Sequence, residues 1–326
     1  MILKFINKTN KKKIISVFCI LLLIISSVFI NKTVNFFRST EITFESGAED
    51  KISVFLIGRL GNQMFSYAAA YALSKMQHKN GVSIIPNETE YGLDIFNIPQ
   101  IFTKQKTVSG FKRIFIKKDK STYGHSENHF YYTDDLLKLD PHKKNTYIIG
   151  YYQSPLYFEN FEEELREKIF VLKRELSNIA KEWEQKIISS PNSVSIHIRR
   201  GDYINAPMFQ GPNMDYYKKS IALMQSILGN NITFFIFSDD YEYIKKEFNW
   251  LKNTYIVNSD PKFPYEDMFL MSKCQHNIIA NSTYSWWGAF LNKNKNKKVI
   301  APYQWFTRTY QIDVGDLYCK DWIILK

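Results

Sequence analysis

From Pro191 onward, short apolar runs alternate with longer stretches of helical spacing. Residues 194–198, 232–237, 254–257, 277–280 and 298–301 read as strands, and 215–228, 241–248, 264–274 and 285–291 as helices. Strands joined through helices build a parallel sheet covered on both faces. Ligands of such sheets bind beyond the carboxyl ends of the strands. Three polar clusters fall at those ends: His197 to Asp202, Ser238-Asp239-Asp240 and Asn281-Ser282-Thr283. The expected fold class is therefore α/β.

Before Pro191 the pattern is less regular. Residues 51–57 (KISVFLI) have the run of a buried strand, 58–63 (GRLGNQ) that of a turn, and 64–75 that of a helix. Residues 147–152 read as a strand and 160–188 as one long helical region. Residues 86–145 are polar and irregular. No internal repeat is present, and 292–298 (NKNKNKK) reads as a solvated basic turn.

Arg199 and Arg200 follow an apolar strand, where unpaired charge is costly. A guanidinium offers a planar fork that matches phosphate oxygens and never loses its charge. Fixed positive charge beside a departing diphosphate lowers the barrier to its release. The competing reading pairs both arginines structurally with Asp202 and another carboxylate.

The other clusters carry similar alternatives. Gly58 to Gln63 lacks the full glycine pattern of a dinucleotide or Walker loop, so it reads as a phosphate loop or as a tight turn with Asn62 capping the helix. Asp239 and Asp240 suit a ribose, base or metal contact, or a helix cap. Asn281 to Ser285 runs into a helix start, where hydroxyl and N–H groups make an anion site. Trp286 and Trp287 read as packing. The chain has no Asp-x-Asp, and His78, His125, His129, His142 and His276 are scattered without zinc-ligand spacing. There is no Gly-x-Ser-x-Gly elbow. No metal is expected, since arginine supplies the charge a cation otherwise would.

The net charge of +11 on its own suggests nucleic acid, but residues 1–40 hold seven cations and no acid, leaving +4 for the other 286 residues. A nucleic-acid partner is not expected from a folded part so nearly neutral. Residues 14–30 form 17 consecutive positions without charge, Gly or Pro, about 26 Å as a helix. This reads as a transmembrane anchor, between a cytosolic tail at 1–13 and a stem at 31–50. A cleaved signal peptide is the other reading, but 27–30 (SVFI) lack a small-x-small site. The lysines before the span place the catalytic part across the membrane, which suits a Golgi lumen. Sequons stand at Asn7, Asn31, Asn87, Asn231 and Asn281, and one disulfide, Cys274 with Cys319, is possible in the folded part.

Four segments in chain order resemble the α-1,2-fucosyltransferases, glycosyltransferase family 11. They are GRLGNQMFSYAAAYAL at 58–73, SIHIRRGDY at 195–203, FSDD at 237–240 and DMFLMSKCQHNIIANSTYSWWGAFLN at 267–292. The resemblance implies a GT-B-like fold of two Rossmann-like lobes with a donor cleft between them. The lobes would be an acceptor-side lobe at 51–190 and a GDP-fucose-binding lobe at 191–326. It implies inverting, metal-free transfer from GDP-fucose to the 2-hydroxyl of a galactose-terminated glycan. By motif position Arg199 would contact the β-phosphate, with Arg200 and Asp202 beside it in the catalytic set. His197, Asp239, Asp240, Asn281, Ser282 and Ser285 would line the donor from one lobe, and Gly61 and Asn62 from the other. Asp202 is the one candidate base within the main motif, or else it orients Arg199. A fucosyltransferase of another linkage and a non-catalytic glycan or nucleotide-sugar binder are the alternatives.

Overall fold

The computed structural model describes residues 41–42, 50–86, 91–102, 105–106, 122–127, 129–209, 211–310 and 312–326. The tail at 1–13, the span at 14–30 and nearly all of the stem at 31–50 lie outside them. Among the described residues, no helix is long and apolar enough to cross a membrane.

Two parallel sheets carry the α/β fold. The first consists of β1 (Lys51–Phe55), β2 (Val82–Ile85), β3 (Thr122–Ser126) and β4 (Asn145–Ile149) in the order β2-β1-β4-β3. The second consists of β5 (Ser193–Ile198), β6 (Thr233–Ser238), β7 (Thr254–Ile256), β8 (His276–Ile278), β9 (Val299–Pro302) and β10 (Ile323–Leu325). Its order is β10-β9-β8-β5-β6-β7, and all its pairings are parallel.

That order fixes where a ligand belongs. The chain leaves β5 toward β6 and β7, then crosses back to place β8 on the other side of β5. The reversal lies between β5 and β8, where His276 pairs with Val194 and Ile278 with Ile196. Loops leaving two strands at a reversal diverge and open a crevice. Here those loops are the arginine segment and the segment beginning at Asn281.

The six main helices are α1 (Leu60–Met76), α2 (Asn178–Ser189), α3 (Met214–Leu228), α4 (Tyr241–Glu247), α5 (Glu266–Lys273) and α6 (Thr283–Leu291). Helices α1 and α6 join the sheets. Trp286 and Trp287 on α6 are fully buried, with ring centroids 4.5 and 5.0 Å from Phe65 on α1. The Trp287 indole also donates to the Gly61 carbonyl at 2.8 Å.

Three details depart from the sequence expectations. Helix α1 begins at Leu60, so Asn62 lies inside it rather than capping it, and the N-cap Arg59 makes no side-chain cap bond. The long helix expected over 160–188 is broken. A turn at Glu162–Glu164 passes into a π-helical turn at Leu165–Ile169, and α2 starts afresh at Asn178. Ser177 stops the continuity: its hydroxyl accepts the Ala180 N–H, while its own N–H and O–H donate to Glu266, each at 2.6 Å. The basic turn is not merely solvated either. Lys297 donates to the carbonyls of Ala289 and Asn292 at 2.8 Å, closing the end of α6. Burial, with Arg166 nearby, pushes its pKa down to about 8. Cys274 and Cys319 are free thiols.

Candidate functional site

Strand β5 is buried along its whole length and ends at Ile198, so the next side chain, Arg199, is the first with room for charge. Arg199 is clamped by two carboxylates: one terminal nitrogen meets Asp202 Oδ1 at 2.6 Å and the other Asp239 Oδ2 at 2.7 Å. Its guanidinium carbon also lies 5.7 Å from the centre of the Tyr203 ring. A guanidinium has five N–H donors, so a clamp at two of them fixes the plane and leaves others for an anion.

Asp239 also ties down the loop. Its Oδ1 accepts the N–H groups of Arg200 and Gly201 at 2.9 and 3.1 Å. A Cβ on Gly201 would fall 2.7 Å from Asp239 Oδ2, so a larger residue there would displace the carboxylate that holds Arg199. Asp239 thus links the β5 and β6 loops.

The arginine doublet is divided. The Arg200 Nε meets Asp240 Oδ2 at 2.9 Å, and its guanidinium lies 3.6 Å from the centre of the Tyr243 ring. Asp240 also caps α4, accepting the Tyr243 N–H at 3.0 Å, and its bond to Arg200 holds its carboxyl below the usual range. Arg200 anchors the loop onto α4, whereas Arg199 is presented. Asp202 has both oxygens in ion pairs, the second with Arg59 at 3.2 Å. It orients two guanidinium groups and joins the loop before α1 to the loop after β5.

His197 is buried at the end of β5, its ring 5.7 Å from that of Tyr284. Burial, with the Arg199 charge adding, pushes its pKa down to about 3, so the imidazole is neutral at physiological pH. Its Nδ1 has no hydrogen-bond partner among the described residues. The Asn281 side-chain amide donates to the Trp305 carbonyl at 2.8 Å, while the Asn281 backbone carbonyl accepts the Tyr203 hydroxyl at 3.2 Å. Ser285 is fully buried and gives its hydroxyl to the Ser282 carbonyl. Both residues therefore shape the turn into α6, and Ser285 presents no surface to a ligand. Ser282 is the N-cap residue of α6 but makes no side-chain cap bond.

Gly61 and Asn62 meet this turn from α1. A Cβ on Gly61 would lie 2.7 Å from Thr283 Oγ1, 2.8 Å from Thr283 C and 2.9 Å from Tyr284 N. Asn62 Oδ1 accepts the Thr283 hydroxyl at 2.8 Å and the Gln153 amide at 3.0 Å. The segments beyond β1, β4 and β8 are thereby connected, and the Arg59–Asp202 pair adds the loop beyond β5.

The family model for glycosyl transferase family 11 matches residues 19–326. The chain belongs to that family. This glycosyltransferase is 32% identical over 300 residues to the O-antigen biosynthesis glycosyltransferase WbnK of Escherichia coli, covering 77% of this chain and 93% of that one. It is 35% identical over 291 residues to an Escherichia coli alpha-1,2-colitosyltransferase, covering 83% and 97%. A bovine galactoside 2-alpha-L-fucosyltransferase is 24% identical over 247 residues, covering 72% of this chain and 62% of that one.

The sequence reading of this family 11 enzyme passed over three groups. Arg59 stood in a quoted segment without a role, yet it pairs with Asp202. Asp267 opens another quoted segment. Burial, with Glu266 adding, pushes its carboxyl up to about 6, and its Oδ1 has no hydrogen-bond partner among the described residues. Its charge acts on Tyr284, the ring beside His197. Glu127 lay in the stretch without readable periodicity. Among the described residues, no group of three or more His, Cys, Asp or Glu is placed to hold a metal ion.

Proposed function

We propose that this enzyme transfers L-fucose, or a closely related deoxy sugar, from its GDP derivative to the 2-hydroxyl of a galactoside, with inversion and without a metal. The observation that carries the proposal is Arg199, clamped at the strand reversal by Asp202 and Asp239. As the glycosidic bond breaks, negative charge collects on the diphosphate, and a guanidinium already oriented stabilises it without reorganising. The wider expectation of a GT-B-like enzyme, with one sheet on the acceptor side and the other holding the nucleotide, belongs to this reading.

Guanine is favoured by the two orphaned polar atoms beside Tyr284. Asp267 Oδ1 is an acceptor and the neutral imidazole of His197 has a nitrogen unfilled. Guanine offers two adjacent N–H donor groups on one edge and acceptors on another. A site with such buried groups penalises a base that leaves them empty.

A second donor is favoured by the 35% identity to a colitosyltransferase. Colitose is fucose without its 3-hydroxyl, so the same phosphate chemistry serves both. The full chain in detergent, given GDP-fucose or GDP-colitose with a panel of terminal β-galactosides and EDTA, should release GDP and extend the galactoside with one of the two. No transfer from either donor to any acceptor would overturn the reading. Anchoring through residues 14–30, with the catalytic part lumenal as in a Golgi enzyme, is part of the proposal. Protease digestion of sealed vesicles tests it, and a C-terminus exposed on the cytosolic side would refute it.

A further inference from the structure

Transfer to a hydroxyl releases a proton, and Asp202 is engaged in two ion pairs that orient the Arg59 and Arg199 cations. Resting on the transfer proposed above, we infer that Glu127 is the general base that takes the acceptor's proton. Glu127 follows β3 directly, and its N–H donates to the Ile149 carbonyl at the end of β4 at 2.8 Å. It therefore stands at the carboxyl edge of the first sheet, as Arg199 stands at that of the second.

The carboxylate is positioned by several donors. Its Oε2 accepts the Tyr152 N–H at 2.6 Å and its Oε1 the Tyr157 hydroxyl at 3.2 Å, and the Tyr151 N–H bonds it as well. Tyr152 is fully buried with φ +49°, in the left-handed region. Such a conformation in a residue other than glycine costs about 1–3 kcal/mol and persists only when its surroundings enforce it. The bond from Tyr152 N–H to Glu127 is part of that enforcement.

The same segment reaches the arginine loop. The Phe130 ring stacks on Tyr151 at 5.5 Å and meets Phe306 at 5.1 Å. Phe306 meets Phe209 at 5.5 Å, and Phe209 stacks at 5.2 Å on Tyr203, the ring beside Arg199. The Tyr132 N–H bonds Asp316 at 3.2 Å, and Gln153 bonds Asn62, which bonds Thr283. The carboxylate and the guanidinium thus come from the carboxyl edges of different sheets, joined by packed rings. Inversion requires the attacking oxygen and the leaving phosphate on opposite faces of the sugar carbon, and one group from each sheet meets that need.

Burial pushes Glu127 up to about 7, against the pull of its three hydrogen bonds. The groups facing it are the phenols of Tyr152 and Tyr157 and the N–H groups of Tyr151 and Tyr152. His125 lies one contact further out, 3.0 Å from the Tyr152 hydroxyl, with Asp135 at 3.9 Å beyond it. His129 stacks on Tyr131, whose carbonyl oxygen lies 3.4 Å from the Tyr157 hydroxyl. A base whose pKa lies near the working pH combines availability with driving force. In the step, the acceptor oxygen bonds to the sugar carbon and its proton passes to the Glu127 carboxylate. The bond from that carbon to the β-phosphate oxygen breaks, and its electron pair leaves on GDP beside Arg199.

The test compares wild type and Glu127→Gln as full chains. Gln keeps an oxygen for the Tyr152 N–H. GDP affinity by calorimetry should stay within about twofold, while kcat falls about 10²–10⁴-fold, the usual contribution of a general base. Wild-type kcat should decline as pH falls through about 7, because the carboxylate gains a proton there, and the variant should lack that limb. Glutamate labelled with carbon-13 should show one carboxyl titrating near 7 that is absent from the variant. A variant with more than a tenth of wild-type kcat, or with the same acid limb, would overturn the assignment. So would a Glu127 carboxyl titrating near its ordinary value, whether or not any sugar is moved. A wild type that fails to bind GDP would instead count against the proposed donor, so the two failures are distinguishable.

Discussion

Gly61→Ala adds one methyl group where α1 meets α6. Its Cβ would stand 2.7–2.9 Å from three atoms of Thr283 and Tyr284, whereas ordinary contact begins near 3.4 Å. Two of the three are backbone atoms, so no side-chain rotation relieves the clash. The helices must separate by roughly 0.5–0.7 Å, which stretches the Trp287 bond to the Gly61 carbonyl, now 2.8 Å. Overpacking costs about 1–3 kcal/mol and a weakened hydrogen bond about 1 more, so the loss is about 2–4 kcal/mol. For a domain of this size that lowers Tm on the order of 5–10 °C. Asn62 and Thr283 ride on the two helices, and a misplacement near 1 Å costs about 100-fold in rate. Thermal unfolding and kcat/KM of the variant check both figures. The opposing expectation has the opposite sign, since Ala in a helix is about 1 kcal/mol better than Gly. An unchanged or raised Tm with full activity would refute the close approach.

Arg199→Lys keeps the charge but not the planar fork, so kcat/KM should fall at least about 100-fold; recovery of more than a tenth of the rate would contradict the clamped-fork reading. Arg200→Lys should instead lower thermal stability, through the lost contacts with Asp240 and Tyr243, and reduce the rate less than Arg199→Lys does; an equal loss of rate would return Arg200 to the ligand. Asp267→Asn should weaken GDP binding about tenfold or more by removing a charged acceptor, with calorimetry as the measure; unchanged affinity would remove Asp267 from the proposed guanine contacts.

Five of the six strands of the second sheet were legible because apolar runs alternate with helices at regular spacing, and the loops at its reversal carry the polar residues; the short edge strand β10, with no helix after it, was not. The first sheet was legible only in part. β3 is polar and contains Gly124, where a Cβ would lie 2.5 Å from the Tyr147 ring. Packing against an aromatic face replaces hydrophobic alternation there, and periodicity finds nothing. Glu127 was hidden for the same reason. The arginine doublet showed where charge gathers but not how it divides, because Asp239 and Asp240 are neighbours in sequence and take different arginines. Asp267 stands in the first turn of α5, where an acid is ordinary. Its significance lies in an unfilled oxygen, a property of packing.

The linkage of the product tests the central claim most directly. The full chain should be incubated with a terminal β-galactoside and either GDP-fucose or GDP-colitose, and the purified product subjected to methylation analysis and NMR. The product should be galactose substituted at its 2-oxygen by an α-linked sugar. Substitution at any other oxygen, or retention of the donor's anomeric configuration, would contradict it.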